Sequence, residues 1–334
     1  MAKDSAAPTV TSADVARLAG VSRATVSFVL NNTQTHRVSD STRARVLAAA
    51  NQLGYVPHAA ARSLRAGRSN LVLLPTSVSA IGRLVSTWLD DLQSELERHG
   101  YTTVLHAGRF SDVVTAARAW AELRPAAVFA LEGDRFTAQA AEVLRRAGVR
   151  GLLACAARPV EGVRTIPFDH ARIGAVAAGH LVSQGRRTIG VIMPRERGLD
   201  TFAEPRLAGA QSVAARSTAT VTALEMAYTQ ESAAELAGRW RALGLDAVFA
   251  YNDEYAALLL HALQDAGFSV PDEVAIVGAD DLLVSVLQQP PLTTIRLDLP
   301  TPGQIADILH ELIEGGDAPG EFGVEPVLVH RQSS

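Results

Sequence analysis

The sequence predicts a small all-α unit at the amino end, followed by an α/β body of two doubly wound parallel sheets. Near the start, two short helical patterns flank a Gly-Val-Ser turn in the stretch GVSRATVSFVLN, residues 20–31. Beyond residue 70, short apolar runs alternate with longer helical patterns, as in chains that form parallel sheets. The charge also changes sign along the chain. Residues 1–70 hold nine Lys and Arg against three Asp and Glu, whereas the remainder holds 22 against 32.

The length and composition are typical of a globular protein of the cytoplasm. The 334 residues suffice for two or three domains with cores of their own. Cys155 is the single cysteine, so no intrachain disulfide can form, which suits a reducing compartment. The chain shows neither a basic-then-apolar leader pattern nor an apolar run near the ~20 residues that span a bilayer. We therefore expect a cytoplasmic protein that makes no contact with a membrane.

Three helices are predicted within the first 54 residues. The segment SADVARLA forms the first, and Gly20 ends it because glycine readily adopts the left-handed conformation. Ser22 caps the second, RATVSFVLN, and Ser39 caps a third that runs to about Leu53 and stops at Gly54. A three-residue turn joins the first two into a helix-turn-helix unit. The side chains expected to face inward from these two helices are Val15, Leu18, Ala19, Val26, Val29 and Leu30.

A basic helix-turn-helix unit attached to an acidic body indicates a module that binds a polyanion. The tight turn holds the second helix so that it can enter the major groove of DNA, which is ~12 Å wide. Arg23 stands at the start of that helix, and Ala24, Thr25, Ser27 and Phe28 lie outside its apolar stripe. The alternative is a purely structural three-helix bundle, which the charge asymmetry disfavours.

The stretch TSADVARLAGVSRATVSFVLN…VSDSTRARVLAAANQLGYVPHAAARSLRAG closely resembles the headpiece of the LacI/GalR (lactose/galactose repressor) family of bacterial transcription regulators. The resemblance implies that Arg23 and Ala24 read bases. It implies phosphate contacts for Ser22, Thr25, Ser27, Asn31 and Tyr55. Phe28 departs from the pattern, because many relatives carry a polar or basic base-reading residue there. It either touches a thymine methyl or packs inward.

The segment YVPHAAARSLRAGRSN, residues 55–70, connects the headpiece to the body. A helix between Pro57 and Gly67 would be shorter than the ~12–15 residues at which an isolated helix becomes marginally stable, so it should need a partner. The segment resembles the hinge helix of the same family. That resemblance implies that two hinge helices of a dimer pair in the minor groove, with Leu64 inserted as an apolar wedge and Arg62 near a phosphate. The alternative is a flexible linker.

The body repeats the strand-then-helix pattern twice. Such repeats form parallel sheets through right-handed crossovers, so two doubly wound subdomains are predicted. The resemblance extends over this region more loosely and implies a periplasmic-binding-protein-like layout. The expected divisions are a headpiece at 1–56, a hinge at 57–69 and a body at 70–334. Within the body, subdomain 1 covers about 70–167 plus 296–323, and subdomain 2 covers about 168–295 plus 324–334.

Ligands of open parallel sheets bind beyond the carboxyl ends of the strands. Four polar residues are candidates for such a site, namely Ser77, Arg206, Asn252 and Asp280. By the resemblance, Arg206 in EPRLAGA and Asp280 in GADD bind effector hydroxyls or carboxylates. A guanidinium and an acceptor carboxylate suit a polyol such as a sugar. Structural roles are the alternatives to ligand binding. Arg206 can pair with Asp280 simply to hold the cleft, and Asp253 can act as a helix cap.

Several positions argue for a more apolar ligand, or for none. Ala130 and Ala154 end strands where sugar-binding relatives often place polar groups, and Leu297 replaces a frequent glutamine. Phe168 is either a stacking platform or a core residue. No catalytic pattern is visible, because the nine histidines are scattered and no HExxH, P-loop or GxSxG occurs. We therefore expect no enzyme activity, no catalytic residue, no cofactor and no metal site.

These observations predict a sequence-specific, DNA-binding transcriptional regulator, a repressor under the allosteric control of a small ligand bound between the two subdomains. Its expected partners are a pseudo-palindromic double-stranded operator, a small-molecule effector and a second copy of the chain. Because the sequence lacks a leucine-heptad tail, a homodimer is expected. A solute-binding protein would share the body, but it would need an export signal in place of the basic headpiece.

Overall fold

The computed structural model describes residues 10–30, 38–56, 69–76, 82–108, 112–316 and 323–334. These fall into two compact units, Met1–Ser69 and Asn70–Ser334. The predicted hinge helix lies outside the described residues, as do four of the predicted site residues: Asn31, Arg62, Leu64 and Ser77.

Three helices form the amino-terminal unit, as the sequence predicted. They are α1 (Ser12–Ala19), α2 (Arg23–Leu30) and α3 (Asp40–Leu53). Gly20 and Gly54 end α1 and α3 with φ of +64° and +61°, a conformation that glycine adopts without steric cost. Ser39 accepts a hydrogen bond from the backbone N–H of Thr42 at the start of α3, at 3.3 Å.

Small apolar side chains from all three helices make the core of this unit. Fully or nearly fully buried are Val15, Ala16, Ala19, Val26, Val29, Val46, Ala49 and Ala50. The expectation that Leu18 faces inward is wrong, since 46% of it is exposed. Ala16 takes the inner position instead, because the close packing of three short helices favours a small side chain there.

The first sheet of the body has five parallel strands in the order β2-β1-β3-β4-β5. The strands are β1 (Leu71–Pro75), β2 (Thr102–His106), β3 (Ala127–Ala130), β4 (Gly151–Ala156) and β5 (Arg164–Pro167). The helices between them are α4 (Arg83–Arg98), α5 (Val113–Glu122) and α6 (Ala138–Arg146), with a short 3-10 turn at Gly133–Arg135. Near-continuous apolar runs in β1, β3 and β4 account for their burial on both faces.

The second sheet has four parallel strands in the order β7-β6-β8-β9. The strands are β6 (Thr188–Pro194), β7 (Thr220–Met226), β8 (Ala247–Phe249) and β9 (Ala275–Val277). Four long helices accompany them: α7 (His170–Ser183), α8 (Asp200–Ala214), α9 (Gln230–Leu243) and α10 (Asp253–Asp265).

A final group of elements returns across the body. It consists of α11 (Leu283–Leu287), β10 (Thr294–Asp298), α12 (Pro302–Glu314) and β11 (Glu325–Val329). Strands β10 and β11 pair antiparallel. A single bridge joins Val277 at the end of β9 to Thr293, and α12 packs into the core of the first sheet through Ile305 and Leu309. The chain thus contacts both sheets again after β9.

Two local features differ from the sequence prediction. Strand β5 was not expected, because Arg164–Pro167 is short and half polar. Helix α8 begins at Asp200 rather than near residue 204, so Pro205 lies inside it. Proline favours the first turn of a helix, but here its one missing N–H does not stop the helix from extending upstream. Among the described residues, no helix has the length and apolar character that crossing a membrane would require.

Candidate nucleic-acid interface and ligand cleft

The first residues of α2 lie on the surface of the helix-turn-helix unit. Ser22, Arg23 and Ala24 are exposed, whereas Thr25 is half-buried. The hydroxyl of Ser22 accepts a hydrogen bond from the backbone N–H of Thr25 at 3.1 Å and lies 2.9 Å from the Thr25 hydroxyl. Ser22 therefore caps α2 as predicted. Its position leaves Arg23 beside the positive end of the helix dipole, an arrangement that suits a phosphate or the edge of a base.

Three further predicted DNA-contact residues are half-buried. Ser27 and Phe28 lie in the middle of α2, so Phe28 is neither fully exposed nor part of the buried core. Tyr55 packs against that core, and its backbone N–H donates to the Ala50 carbonyl oxygen at 2.9 Å. The Tyr55 backbone is thus fixed to the end of α3.

A cleft of about 470 Å³ lies in the body, where the carboxyl ends of strands from both sheets meet. This volume is in the range of pockets that hold small molecules. Three of the predicted effector residues, Arg206, Asn252 and Asp280, line it together, and so do Phe168 and Leu297. The structure therefore brings together three predicted effector residues that lie up to 74 positions apart in the sequence, from Arg206 to Asp280.

The described side chains that line the cleft from the first sheet are mostly apolar. They are Phe129, Leu131, Cys155 and Ile166, and Trp88 of α4 joins them. Burial, helped by the charge of Asp134, raises the pKa of the Cys155 thiol to about 12, so the thiol stays protonated and uncharged. The expectation that Ala130 and Ala154 face the ligand is wrong. Both pack into the core on the other face of the sheet, because successive strand residues point to opposite sides.

Arg206 is the most buried charged group of the cleft, with only 5% of the residue exposed. Its guanidinium donates a hydrogen bond to the backbone oxygen of Tyr251 and lies 4.8 Å from the centroid of the Tyr251 ring. Its Nε has no hydrogen-bond partner among the described residues. Arg206 is thus held by the loop that follows β8, and its guanidinium keeps at Nε a donor that no described residue uses.

Asp280 follows β9 and has a φ of +92°, in the left-handed region that a non-glycine residue rarely adopts. Burial raises the pKa of its carboxyl, and the nearby charge of Arg206 opposes that shift. Arg206 donates its hydrogen bond to Tyr251 rather than to Asp280. Both residues line the cleft, and the Asp280 carboxyl is hydrogen-bonded to the Asn252 side chain.

Asn252 caps α10 and also lines the cleft. Its side-chain oxygen accepts hydrogen bonds from the backbone N–H groups of Glu254 and Tyr255, both at 3.1 Å. The sequence suggested that Asp253 takes this role, and that expectation is wrong. Asp253 is the first residue of the helix, and its carboxylate contacts Thr294 and the backbone of Leu282 instead.

His170 is a cleft residue that the sequence analysis missed. It is 7% exposed, and its ring centroid lies 4.1 Å from that of Phe168 and 5.0 Å from that of Phe202. Burial, and to a lesser degree the charge of Arg206, lowers the pKa of the imidazole well below its usual 6.5. Its Nδ1 has no partner among the described residues. Its place directly after β5, at the start of α7, was the available signal.

Glu196 is a second missed residue, positioned just beyond the end of β6. Its carboxylate accepts hydrogen bonds from the Tyr255 hydroxyl and from the backbone N–H of Tyr228, the latter at 2.7 Å. Burial opposes ionisation, but these hydrogen bonds outweigh it and lower the pKa of Glu196. The cleft therefore holds a fixed negative charge beside two tyrosine rings.

A basic helix-turn-helix unit and a two-sheet unit with a ligand-sized cleft, on one chain, define the class of ligand-responsive DNA-binding regulators. Comparison with known proteins agrees. Residues 11–58 match the model of bacterial regulatory proteins of the lacI family, and residues 178–334 match a periplasmic binding protein-like domain. The HTH-type transcriptional regulator GalR of Escherichia coli K12 is 32% identical over 339 residues, covering 96% of this chain and 94% of GalR.

Other similar proteins point the same way. The HTH-type transcriptional repressor PurR of Vibrio parahaemolyticus is 29% identical over 330 residues, covering 96% of this chain and 97% of that protein. A Lac repressor dimer bound to operator and the anti-inducer ONPF matches with a TM-score of 0.75 and 27% identity, covering 98% and 99% of the two chains. The chain belongs to the LacI family. It is a DNA-binding transcriptional regulator with a ligand-binding domain, and not an enzyme.

Proposed function

We propose that this regulator is a cytoplasmic repressor that binds a pseudo-palindromic operator as a homodimer and responds to a small molecule in the cleft. The observation that carries the proposal is the cleft itself, in which Arg206 and Asp280 line a ligand-sized volume. Ligand binding between the two sheets would favour one angle between them. A coupling free energy of ~1–3 kcal/mol is enough to change operator affinity measurably.

The proposed DNA contacts divide into two kinds. Arg23 and Ala24 read bases at the exposed start of α2, where Arg23 can bond a guanine through two hydrogen bonds. Phosphate contacts are proposed for Ser22, Thr25, Ser27, Asn31 and Tyr55. Phe28, Arg62 and Leu64 complete the proposed set, the last two on sequence grounds alone.

The homodimer is supported by an exposed apolar face on α11. Leu283 and Leu287 are 74% and 67% exposed and lie one helical turn apart, with Val286 beside them at 45%. Three large apolar residues exposed within five positions are unusual on a monomer and typical of an interface. The structure of the Lac repressor that this chain resembles is a dimer.

The ligand class proposed first is a polyol such as a sugar, to be bound by Arg206, Asn252 and Asp280, with Ser77 as a further contact from the sequence. A carboxylate accepts hydrogen bonds from hydroxyl groups, and a guanidinium donates to them. A similar structure at 26% identity and a TM-score of 0.61 is a regulator in complex with cellobiose. The apolar lining from Trp88, Phe129 and Leu131 favours a second candidate, a ligand with a substantial apolar part.

A thermal-shift screen of the full chain tests the proposal. Sugars, nucleosides and small organic acids should be compared in parallel, because ligand binding to the folded state raises the melting temperature. A compound that binds in the cleft should stabilise the parent but not Arg206→Ala or Asp280→Ala. Any hit that stabilises all three proteins equally would bind elsewhere and would argue against these residues as effector contacts.

A further inference from the structure

Asp253 is the most deeply buried carboxylate of the described chain, with 0% of the residue exposed. One of its oxygens accepts a hydrogen bond from the Thr294 hydroxyl at 2.6 Å, and the other accepts from the backbone N–H of Leu282 at 2.7 Å. Its own backbone N–H donates to the Ala279 carbonyl oxygen at 2.9 Å. Asp253, the first residue of α10, is therefore hydrogen-bonded to the loop that follows β9 both before and after Asp280.

The same loop is held from its other side by β10. The backbone N–H of Asp280 donates to Ile295 at 2.8 Å, and Gly278 exchanges two hydrogen bonds with Thr293 and Ile295. A Cβ on Gly278 would lie 2.2 Å from the Asp253 carboxylate, so only glycine admits the carboxylate at this place. Hydrogen bonds to the start of α10 on one side and to β10 on the other thus hold Asp280 at its unfavourable φ of +92°.

We propose that Asp253 is a positioning residue that holds the loop of Asp280–Leu282 in place and thereby fixes the Asp280 carboxylate in the ligand cleft. The inference rests on the proposed role of Asp280 in effector binding. Asp253 itself does not line the cleft. It acts through the loop, and its hydrogen bond to Leu282 is the direct link.

The charges around Asp253 make the stability of this closed loop depend on pH. Burial raises the pKa of Asp253 to about 7. The hydrogen bonds from Thr294 and Leu282 oppose that shift, and the negative charges of Asp280 and Asp281 add to it. The other charged groups facing this loop act on Asp280 or on Asp281. Glu254 and Arg206 act on Asp280. Arg331 pairs with Asp281 at 2.5 Å, and the charge of Arg296 also acts on Asp281.

The sign of the effect follows from the solvation of Asp253 when the loop opens. In the open loop the carboxyl meets water and has an ordinary acidic pKa, so the closed loop binds more protons between about pH 4 and 7. Raising the pH through that window therefore favours opening, and the effect levels off above about pH 7. The closed loop is most stable when Asp253 is protonated.

Hydrogen exchange of the ligand-free full chain, followed in peptides that contain the Asp280–Leu282 amides, tests the proposal directly. After correction for intrinsic exchange, the parent should show opening that increases about tenfold per pH unit between pH 5.5 and 7 and then levels off. Asp253→Asn mimics the protonated carboxyl, so its loop should stay protected with a much weaker pH dependence. Asp253→Ala should exchange faster than Asp253→Asn at every pH.

Two further variants assign the effect to Asp253. Asp280→Asn should keep the pH-dependent rise, because Asp253 is intact. Asp246 is a matched control, since each of its carboxylate oxygens also accepts one hydrogen bond, in its case from the backbone N–H groups of Arg187 and Thr188, away from the cleft. Asp246→Asn should leave the loop as in the parent. The proposal is overturned if Asp253→Asn follows the parent's pH curve, or if Asp253→Ala leaves loop exchange unchanged. No ligand is involved, so the result is independent of which effector binds.

Discussion

Gly174 of α7 and Gly209 of α8 each occupy a place where a Cβ would collide with the backbone of the other helix. A Cβ on Gly174 would lie 1.8 Å from the Arg206 carbonyl oxygen, and one on Gly209 would lie 1.8 Å from that of Ala171. The two helices therefore touch backbone to backbone. Arg206 and His170, which both line the cleft, lie next to residues of this contact.

Replacement of Gly209 by alanine should separate α7 from α8 and displace Arg206. Overpacking of a tight contact costs about 1–3 kcal/mol, and here the obstacle is backbone, which gives way least. Gly179→Ala is the matched control, because Gly179 lies on α7 with no atom within 4 Å of its added Cβ. Urea denaturation should show a large loss of unfolding free energy for Gly209→Ala and none for Gly179→Ala. Equal stabilities would show that the helices can move apart freely.

Arg23→Ala should lower affinity for the cognate operator by about 5- to 150-fold, the equivalent of the ~1–3 kcal/mol of a bidentate contact with guanine. It should also relax the preference for one base pair in each half-site. Arg45, exposed on α3, provides a control of equal charge. Its replacement by alanine should change affinity by a similar factor for all sequences, or not at all. Gel-shift titrations against single-base operator variants measure both effects. Base preference unchanged in Arg23→Ala would contradict the assignment.

His170 should make the stability of the protein depend on pH below neutrality. Its pKa in the folded state is well below 6.5 because it is buried, so only the unfolded chain takes up this proton as the pH falls through 6.5. The stability it contributes is present above pH 6.5 and is lost as the pH falls below it, by at most about 1.4 kcal/mol per pH unit. His170→Gln should lack this loss.

The comparison of His170→Gln with the parent cancels the contributions of carboxyl groups common to both. The exposed His261 of α10 is the control, and His261→Gln should retain the parent's pH dependence. Denaturation midpoints at the two pH values are the measurement. A parent and a His170→Gln variant that lose stability in parallel would show that His170 is protonated in the folded protein.

Leu287→Glu should weaken or abolish the homodimer without unfolding the chain. The side chain is 67% exposed in the single chain, so a charge there is tolerated by the monomer but is buried unpaired in an interface. Leu123→Glu, at a residue 41% exposed after α5, is the matched substitution. Sedimentation velocity should show a monomer for the first variant and a dimer for the second. A dimer of Leu287→Glu with unchanged affinity would place the interface elsewhere.

The sequence predicted most of the architecture, because the patterns that encode it are local. Apolar runs followed by amphipathic helices predicted the two parallel sheets, and the glycines at residues 20 and 54 predicted the ends of two helices. The cleft was predicted in part. Arg206, Asn252 and Asp280 follow strands or lie in a recognisable motif, and the structure brings them together.

The residues that sequence reasoning missed depend on tertiary contacts. Glu196 and His170 belong to the cleft because distant tyrosines and phenylalanines surround them. Asp253 sits in a pattern typical of a helix cap, but Asn252 takes that position one residue earlier, which turns the Asp253 carboxylate toward a loop about 30 residues downstream, at Leu282. A shift of one residue, invisible in the pattern, changes a local cap into a long-range contact.

The proposed function requires that the basic amino-terminal unit recognise a two-fold symmetric DNA sequence. Its most direct test is selection of bound duplexes from a random pool by the purified full chain, followed by sequencing. We expect enrichment of a single pseudo-palindromic site, one half for each protomer. Repeated selection that enriches no sequence above the random pool, with retention that falls with salt equally for all duplexes, would contradict this expectation.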